Sequence, residues 1–199
     1  GVCSSVKTVT TYDSEKLNGT IIGSEGSYKN NSSRTITAAL DGNLSTFFDA
    51  KNESGDWLGY DMGEGNSAML LYVKYAPRVG YASRMVGGKF QVSNTEDFKS
   101  AITVATIASA PVENQLTLLR APAGKFYRYM RYIGPDKGSC NVAEIEFYGV
   151  KKTVGTGIEN VSVSSKSLVS DRIYNLQGQE VKTVGKGLYL INGKKVVVR

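Results

Sequence analysis

The sequence predicts an all-β fold: a sandwich or barrel of about eight strands, followed by a small C-terminal β-meander. Three observations carry this. Between Thr20 and Val150, short runs rich in β-branched and aromatic residues alternate with clusters of Gly, Asn, Ser and Pro, the pattern of strands joined by turns. No window sustains the i, i+3, i+4, i+7 apolar spacing of an amphipathic helix beyond a turn or two. The chain of 199 residues is 41% hydrophobic and 21% charged. Those are globular values, and about 130 residues suffice for a two-sheet core.

Taken in order, residues 1–19 are polar and weakly patterned and read as a lead-in. The β-type runs are Thr20–Ile22, Asp56–Asp61, Ala68–Tyr75, Lys89–Val92, Ile102–Ile107, Gln115–Leu119, Phe126–Ile133 and Glu144–Tyr148. Phe47, Phe48, Trp57 and Phe147 are assigned to the core, because they sit in or beside alternating apolar runs. Lys151–Gly157 reads as a linker. After Ile158–Val163 come two matching segments, Tyr174–Val181 and Tyr189–Val196, sharing the pattern Y-x-x-[QN]-G-[QK]-x-V. Asn192-Gly193 is a strong hairpin signal, so 158–199 is read as a meander of about four strands.

The formal charge of +6 is unevenly spread. Residues 1–150 hold 15 Lys and Arg against 15 Asp and Glu, while 151–199 hold nine against three. The main body therefore lacks the basic face that nucleic-acid binding needs. The chain has no His and two Cys. That excludes Ser-His-Asp and Cys-His nucleophile systems, His-ligated zinc and a four-thiolate metal site. No Walker loop is present and no apolar run reaches the roughly 20 residues of a membrane span. An enzyme would have to use carboxylate, Tyr or Lys chemistry, and a metal would need hard oxygen ligands. The chain begins with Gly1, so its natural start is expected upstream.

Several blocks share an order along the chain: Ile22–Tyr28, Leu40–Ala50, Asp56–Gly63, Tyr75–Arg78, Arg84–Gln91, Phe126–Tyr132 and Asn141–Gly149. On these blocks residues 20–150 resemble a discoidin domain (coagulation factor V/VIII type C domain). Within that group they look closest to the family 32 carbohydrate-binding modules of secreted bacterial proteins. The tail Asp171–Arg199 resembles, in shortened form, a type IX secretion C-terminal sorting domain. The resemblance implies a galactose-binding-like jelly roll, a structural calcium ion and a ligand site on loops at one end.

Asp41-Gly-Asn43-x-x-Thr46 is an oxygen-rich turn of the kind a hard cation accepts, although Asp-Gly-Asn is also a common plain turn. The resemblance implies a Ca2+ cage completed by the Ala38 and Ala143 carbonyls and the Glu144 carboxylate. Asn43 stands where an acid is frequent, which lowers the charge of the cage.

The longest loop between strong runs, Pro77–Lys89, carries Arg78, Tyr81 and Arg84. Guanidinium forks suit hydroxyl pairs or a carboxylate, and Tyr supplies a flat amphipathic platform. Tyr28, Asp49, Ser139 and Asn141 are expected to converge on the same end. The resemblance implies galactose or N-acetylgalactosamine as ligand. The missing His departs from that pattern, and two nearby arginines point toward carboxylate-bearing sugars.

Phe126–Tyr132 interleaves aromatics with Arg, which suits either stacked bases or a strand pairing Arg with Glu144 or Glu146. Cys3 and Cys140 read as free thiols, although a disulfide is permitted outside the cell.

The leading expectation is a non-catalytic carbohydrate-binding module, not an enzyme. It would lie at the C-terminal end of a larger secreted protein on the outer surface of a Gram-negative bacterium, with further domains upstream. The competing readings are a protein-interaction or adhesion module on the same fold, part of a glycoside hydrolase or peptidase, and a membrane-binding loop built on Met85 and Val86 beside Arg84.

Overall fold

The computed structural model describes residues 14–152, 173–175, 181, 186–191 and 194–198. The chain separates into two compact units, Gly1–Thr153 and Val154–Arg199.

Among the described residues, nine strands build the first unit: β1 (Glu15–Leu17), β2 (Thr20–Gly23), β3 (Trp57–Asp61), β4 (Ser67–Ala76), β5 (Lys89–Ser93), β6 (Ile102–Thr106), β7 (Thr117–Arg120), β8 (Tyr129–Ile133) and β9 (Glu144–Lys152). They form two antiparallel sheets, ordered β1-β9-β4-β7 and β2-β3-β8-β5-β6. The all-β expectation holds, with one strand more than expected. β1 lies in the segment read as a lead-in. It pairs with β9 and places Leu17 fully inside the core, a tertiary role that the polar context of residues 1–19 does not advertise.

Period-two alternation sorts side chains between core and exterior. From β9, Ile145 and Phe147 point inward. Leu58 and Tyr60 of β3, Phe90 and Val92 of β5, and Met130 and Tyr132 of β8 come from the other sheet. Phe147 meets Tyr60 at 5.8 Å and Phe90 at 6.2 Å between ring centroids, both edge-on. Offset and edge-on aromatic pairs of this kind add to the area they bury.

Phe48 and Phe147 are fully buried, as expected. Trp57 and Phe47 are not core residues. Leu58 and Tyr60 take the inward positions of β3, so Trp57 faces out, where its ring meets Phe98 at 5.2 Å and the Arg131 guanidinium. Phe47 is the neighbour of inward-facing Phe48 and is turned toward solvent by the same alternation.

The expected pairing of the Phe126–Tyr132 arginines with Glu144 or Glu146 does not occur, because β8 lies in the sheet opposite β9. Arg131 donates to the Gln91 side chain, and Glu146 is held by Lys16 at 2.6 Å. Arg128 grips Asp61 with two bonds, Nε to Oδ1 at 2.7 Å and Nη2 to Oδ2 at 2.8 Å. This fork holds the Asp61 carboxyl below its ordinary range. A depressed carboxylate stabilises the fold above its unfolded pKa of about 3.9, and the benefit fades as pH falls through the lower folded value. Asp61→Asn is therefore expected to lower the melting temperature at pH 7 and to do so by less near pH 3, where the carboxylate begins to protonate. Melts showing the same deficit at both pH values would contradict this.

In the second unit, β10 (Ile173–Asn175), β11 (Gly187–Ile191) and β12 (Lys194–Val198) form one antiparallel sheet in that order. Ile191 pairs with Lys194, the register that a two-residue hairpin gives. The run Ile158–Val163 and the Gly178 turn lie outside the described residues. Among those residues no helix is long and apolar enough to cross a membrane.

Candidate functional site

At one end of the sandwich, four loop segments enclose a cleft of about 450 Å3. Asp49 anchors it. Phe48 forms an isolated β-bridge with Val142, and the Ala50 amide donates to the Ser139 carbonyl. Residues 48–50 and 139–142 thus run side by side. The Tyr28 amide donates to the Asp49 carbonyl at 2.7 Å, and the Asp49 amide to the Arg34 carbonyl at 3.2 Å. These bonds draw in the polar 24–39 segment, which folds as short 3-10 turns.

The Asp49 carboxylate is 5% exposed and fully engaged. Its Oδ1 accepts from Asn141 Nδ2 at 2.7 Å and its Oδ2 from Arg78 Nη1 at 3.1 Å, with Arg34 Nη1 at 3.8 Å. A carboxylate this buried needs such partners. In return it fixes where Arg78 sits. The Arg78 guanidinium lies between the rings of Phe47, 4.0 Å from its centroid, and Tyr81, 4.2 Å away. Arg84 covers Tyr81 at 4.6 Å and has no carboxylate partner among the described residues. The Tyr81–Arg84 turn is tied down by Met85, which is completely buried. Met85 is therefore not an exposed loop tip, and the membrane reading loses one of its two apolar residues.

Of the residues expected at this end, Tyr28, Asp49, Arg78, Tyr81, Arg84 and Ser139 line the cleft. Asn141 does not, because it is wholly buried behind Asp49. It acts as a positioning residue. Arg34, Lys51 and Glu53 also line the cleft and were not anticipated. Nothing in the local sequence around Arg34 distinguishes it from a solvated loop cation. For Phe47 the signal lies in the pair itself: of two adjacent Phe residues in extended chain, only one can face the core.

Non-glycine residues with left-handed backbone gather around the cleft: Lys29 and Asn30 beside Tyr28, and Ser139 and Cys140 beside Asn141. Such conformations cost roughly 1–3 kcal/mol each and persist where surrounding structure imposes them, often at ligand sites. Cys140 is a buried free thiol pushed well above its usual range by burial, so it is an inert packing residue; Cys3 lies outside the described residues.

The oxygen-rich turn lies nearby. Asp41 Oδ1 accepts from the Asn43 amide at 2.8 Å, and the Thr46 hydroxyl donates to Asp41 Oδ2 at 2.8 Å. From the start of β9, Glu144 Oε2 accepts from the Gly42 amide at 3.0 Å. Glu144 is 1% exposed and its Oε1 has no hydrogen-bond partner. Burial pushes its carboxyl up to about 7. An orphaned, buried carboxylate oxygen facing an Asp-Gly-Asn turn fits a hard cation, which would satisfy it and hold the carboxylate ionised. Among the described residues no cluster of three or more His, Cys, Asp or Glu exists, so the ion would depend on carbonyl, amide and hydroxyl oxygens.

The described residues thus form a two-sheet sandwich with a polar, arginine-rich cleft among its end loops. A solved family 62 carbohydrate-binding module from Clostridium thermocellum Xyl5A matches with TM-score 0.67 and 44% identity, over 69% of this chain and 98% of that one. The chain belongs to that family, and its described sandwich is a non-catalytic carbohydrate-binding module. Two further structures share the fold at 21% identity. One is the family 32 module of AlyQ in complex with 4,5-unsaturated mannuronic acid (TM-score 0.51, 67% of this chain and 97% of that one). The other is a fucolectin from striped bass (Morone saxatilis) serum (TM-score 0.54, 65% and 44%). The AlyQ module is also solved together with an alginate lyase domain. No family model matches the chain, and no curated protein sequence does. The family 32 resemblance extends to the shared fold, and the 44% identity places the chain in family 62.

Proposed function

We propose that the cleft between Tyr28, Arg34, Asp49, Arg78, Tyr81, Arg84 and Ser139 binds the terminal sugar of a glycan and tethers a larger secreted protein to it. The observation that carries this reading is Arg78, oriented by a buried carboxylate and clamped between two rings, with unspent N–H donors on the cleft wall. A guanidinium held this way meets two adjacent hydroxyls without paying to be ordered first. Asp49 already holds one edge of Arg78, so the remaining donors of that guanidinium are assigned to neighbouring hydroxyls of a neutral sugar. A glycan array followed by titration calorimetry tests this. Binding with Kd on the order of 0.1–1 mM, about 4–5.5 kcal/mol, is expected for so open a site. Exclusive capture of uronic acids would reverse the choice of sugar. No glycan bound at millimolar concentration, with a protein partner captured instead, would favour the adhesion reading.

We assign a structural Ca2+ ion to Asp41, Asn43, Thr46 and Glu144 with the Ala38 and Ala143 carbonyls. The orphaned Glu144 Oε1 supports it. The ion would join the 38–46 loop to the start of β9, beside the segment that carries Ser139 and Asn141.

Residues 158–199 are assigned to export and attachment at the outer surface of a Gram-negative bacterium, with any catalytic domain upstream. The basic surplus, the paired glycine turns and the three-stranded second sheet support this. Deleting 158–199 should leave glycan affinity unchanged and abolish surface delivery in the native host. Normal delivery of the truncated protein would overturn it.

A further inference from the structure

Resting on the cleft reading above, we propose that the hollow on the far side of Arg78, between Leu44, Phe47, Val79 and Asn114, is a second sugar subsite, so that the module recognises a disaccharide end and not a lone sugar. The two cavities share a wall. Arg78 lines both, with Tyr81 in the first and Phe47 in the second, and its guanidinium lies between those rings. A sugar held by the donors that Asp49 leaves free on Arg78 has its glycosidic partner beside the hollow.

The hollow has the composition that a pyranose needs. Leu44, Val79 and the edge of the Phe47 ring, which also carries the Arg78 and Arg34 guanidiniums, offer apolar surface for the C–H face of a pyranose, and Ser45 and Asn114 place a hydroxyl and an amide at the rim. Its volume of about 300 Å3 is at the small end for a ligand site and sufficient for one ring. Val79 is 52% exposed, an apolar side chain left uncovered beside the cleft.

The far wall is held deliberately. Glu113 accepts from the Gly80 amide at 2.7 Å, which fastens the 108–116 loop against the Arg78 loop. Its neighbour Asn114 adopts a left-handed backbone (φ 60°) that turns the chain at this point. Leu44 and Ser45 come from the Asp41–Thr46 turn, so the wall opposite Val79 is part of the same loop that faces Glu144.

The test compares galactose with β-1,4-galactobiose by titration calorimetry on the full chain. Wild type should bind the disaccharide roughly tenfold tighter, a gain of about 1.4 kcal/mol. Val79→Ala and Asn114→Gly, the latter chosen because glycine keeps the left-handed turn, should each reduce that preference to threefold or less. Both should leave galactose affinity and the melting temperature unchanged. Equal affinity of wild type for the two sugars, or full preference in both variants, would overturn the second subsite while the cleft stands. Failure of both sugars to bind would overturn the subsite as a galactobiose site, while the cleft itself stands or falls on the glycan array.

Discussion

Arg78→Ala and Asp49→Ala are expected to abolish measurable glycan binding. Losing one charge-assisted hydrogen bond costs about 1.5–3 kcal/mol, or more than tenfold in affinity. From a starting Kd on the order of 0.1–1 mM, that leaves nothing a titration can detect. Both variants should also cost stability. Arg78→Ala removes the hydrogen bond to a carboxylate oxygen of Asp49, which is 5% exposed, and leaves only Arg34 at 3.8 Å, so it should fold but melt a few degrees lower. Asp49→Ala leaves Asn141 Nδ2 without its acceptor, beside an Oδ1 that is already unpartnered. An unmet buried polar group costs about 1–3 kcal/mol, so this variant should also melt several degrees lower. Undiminished binding by Arg78→Ala would place the site elsewhere.

The second large effect is expected from the cation. An ion bound only by the native state stabilises it by about 2.7 kcal/mol at a hundredfold excess over its Kd. For a domain of this size that is a rise of about 5–10 °C in melting temperature. Calcium should therefore raise the transition and a chelator should lower it. Asp41→Ala should melt low and ignore calcium, because the Glu144 oxygen then has neither its ion nor a hydrogen bond. A wild-type transition indifferent to calcium and chelator would end the calcium assignment and leave the Asp41 turn as a hydrogen-bonded loop.

How much of this was legible in the sequence depended on the range of the interaction. Strand positions were readable because alternation and turn chemistry are local: Glu144–Tyr148 and Lys89–Val92 needed no partner to be recognised. β1 was missed because Leu17 becomes a core residue only through β9, about 130 positions later in the chain. Trp57 is hydrophobic yet sits beside inward-facing Leu58, and Phe47 likewise beside Phe48, so strand alternation outweighs side-chain hydrophobicity at both positions.

The loop end was legible through residue chemistry, since Arg78, Tyr81 and Arg84 stand close together in one segment. The dependence of that segment on Asp49 and Asn141 was not. These two meet only because Phe48 and Val142 form a bridge between distant loops. Arg34 and Glu113 likewise reach their places through single backbone-directed contacts, which leave no periodic trace.

The most direct test of the central claim is amide chemical-shift mapping of the intact chain during titration with the glycan selected by the array. Saturable shifts should concentrate at Tyr28, Arg34, Asp49, Arg78, Tyr81 and Ser139, and the Arg78 side-chain resonance should move with them. Shifts confined to the outer face of β3 and β8 around Trp57 and Arg131, with the Asp49 neighbourhood silent, would contradict it.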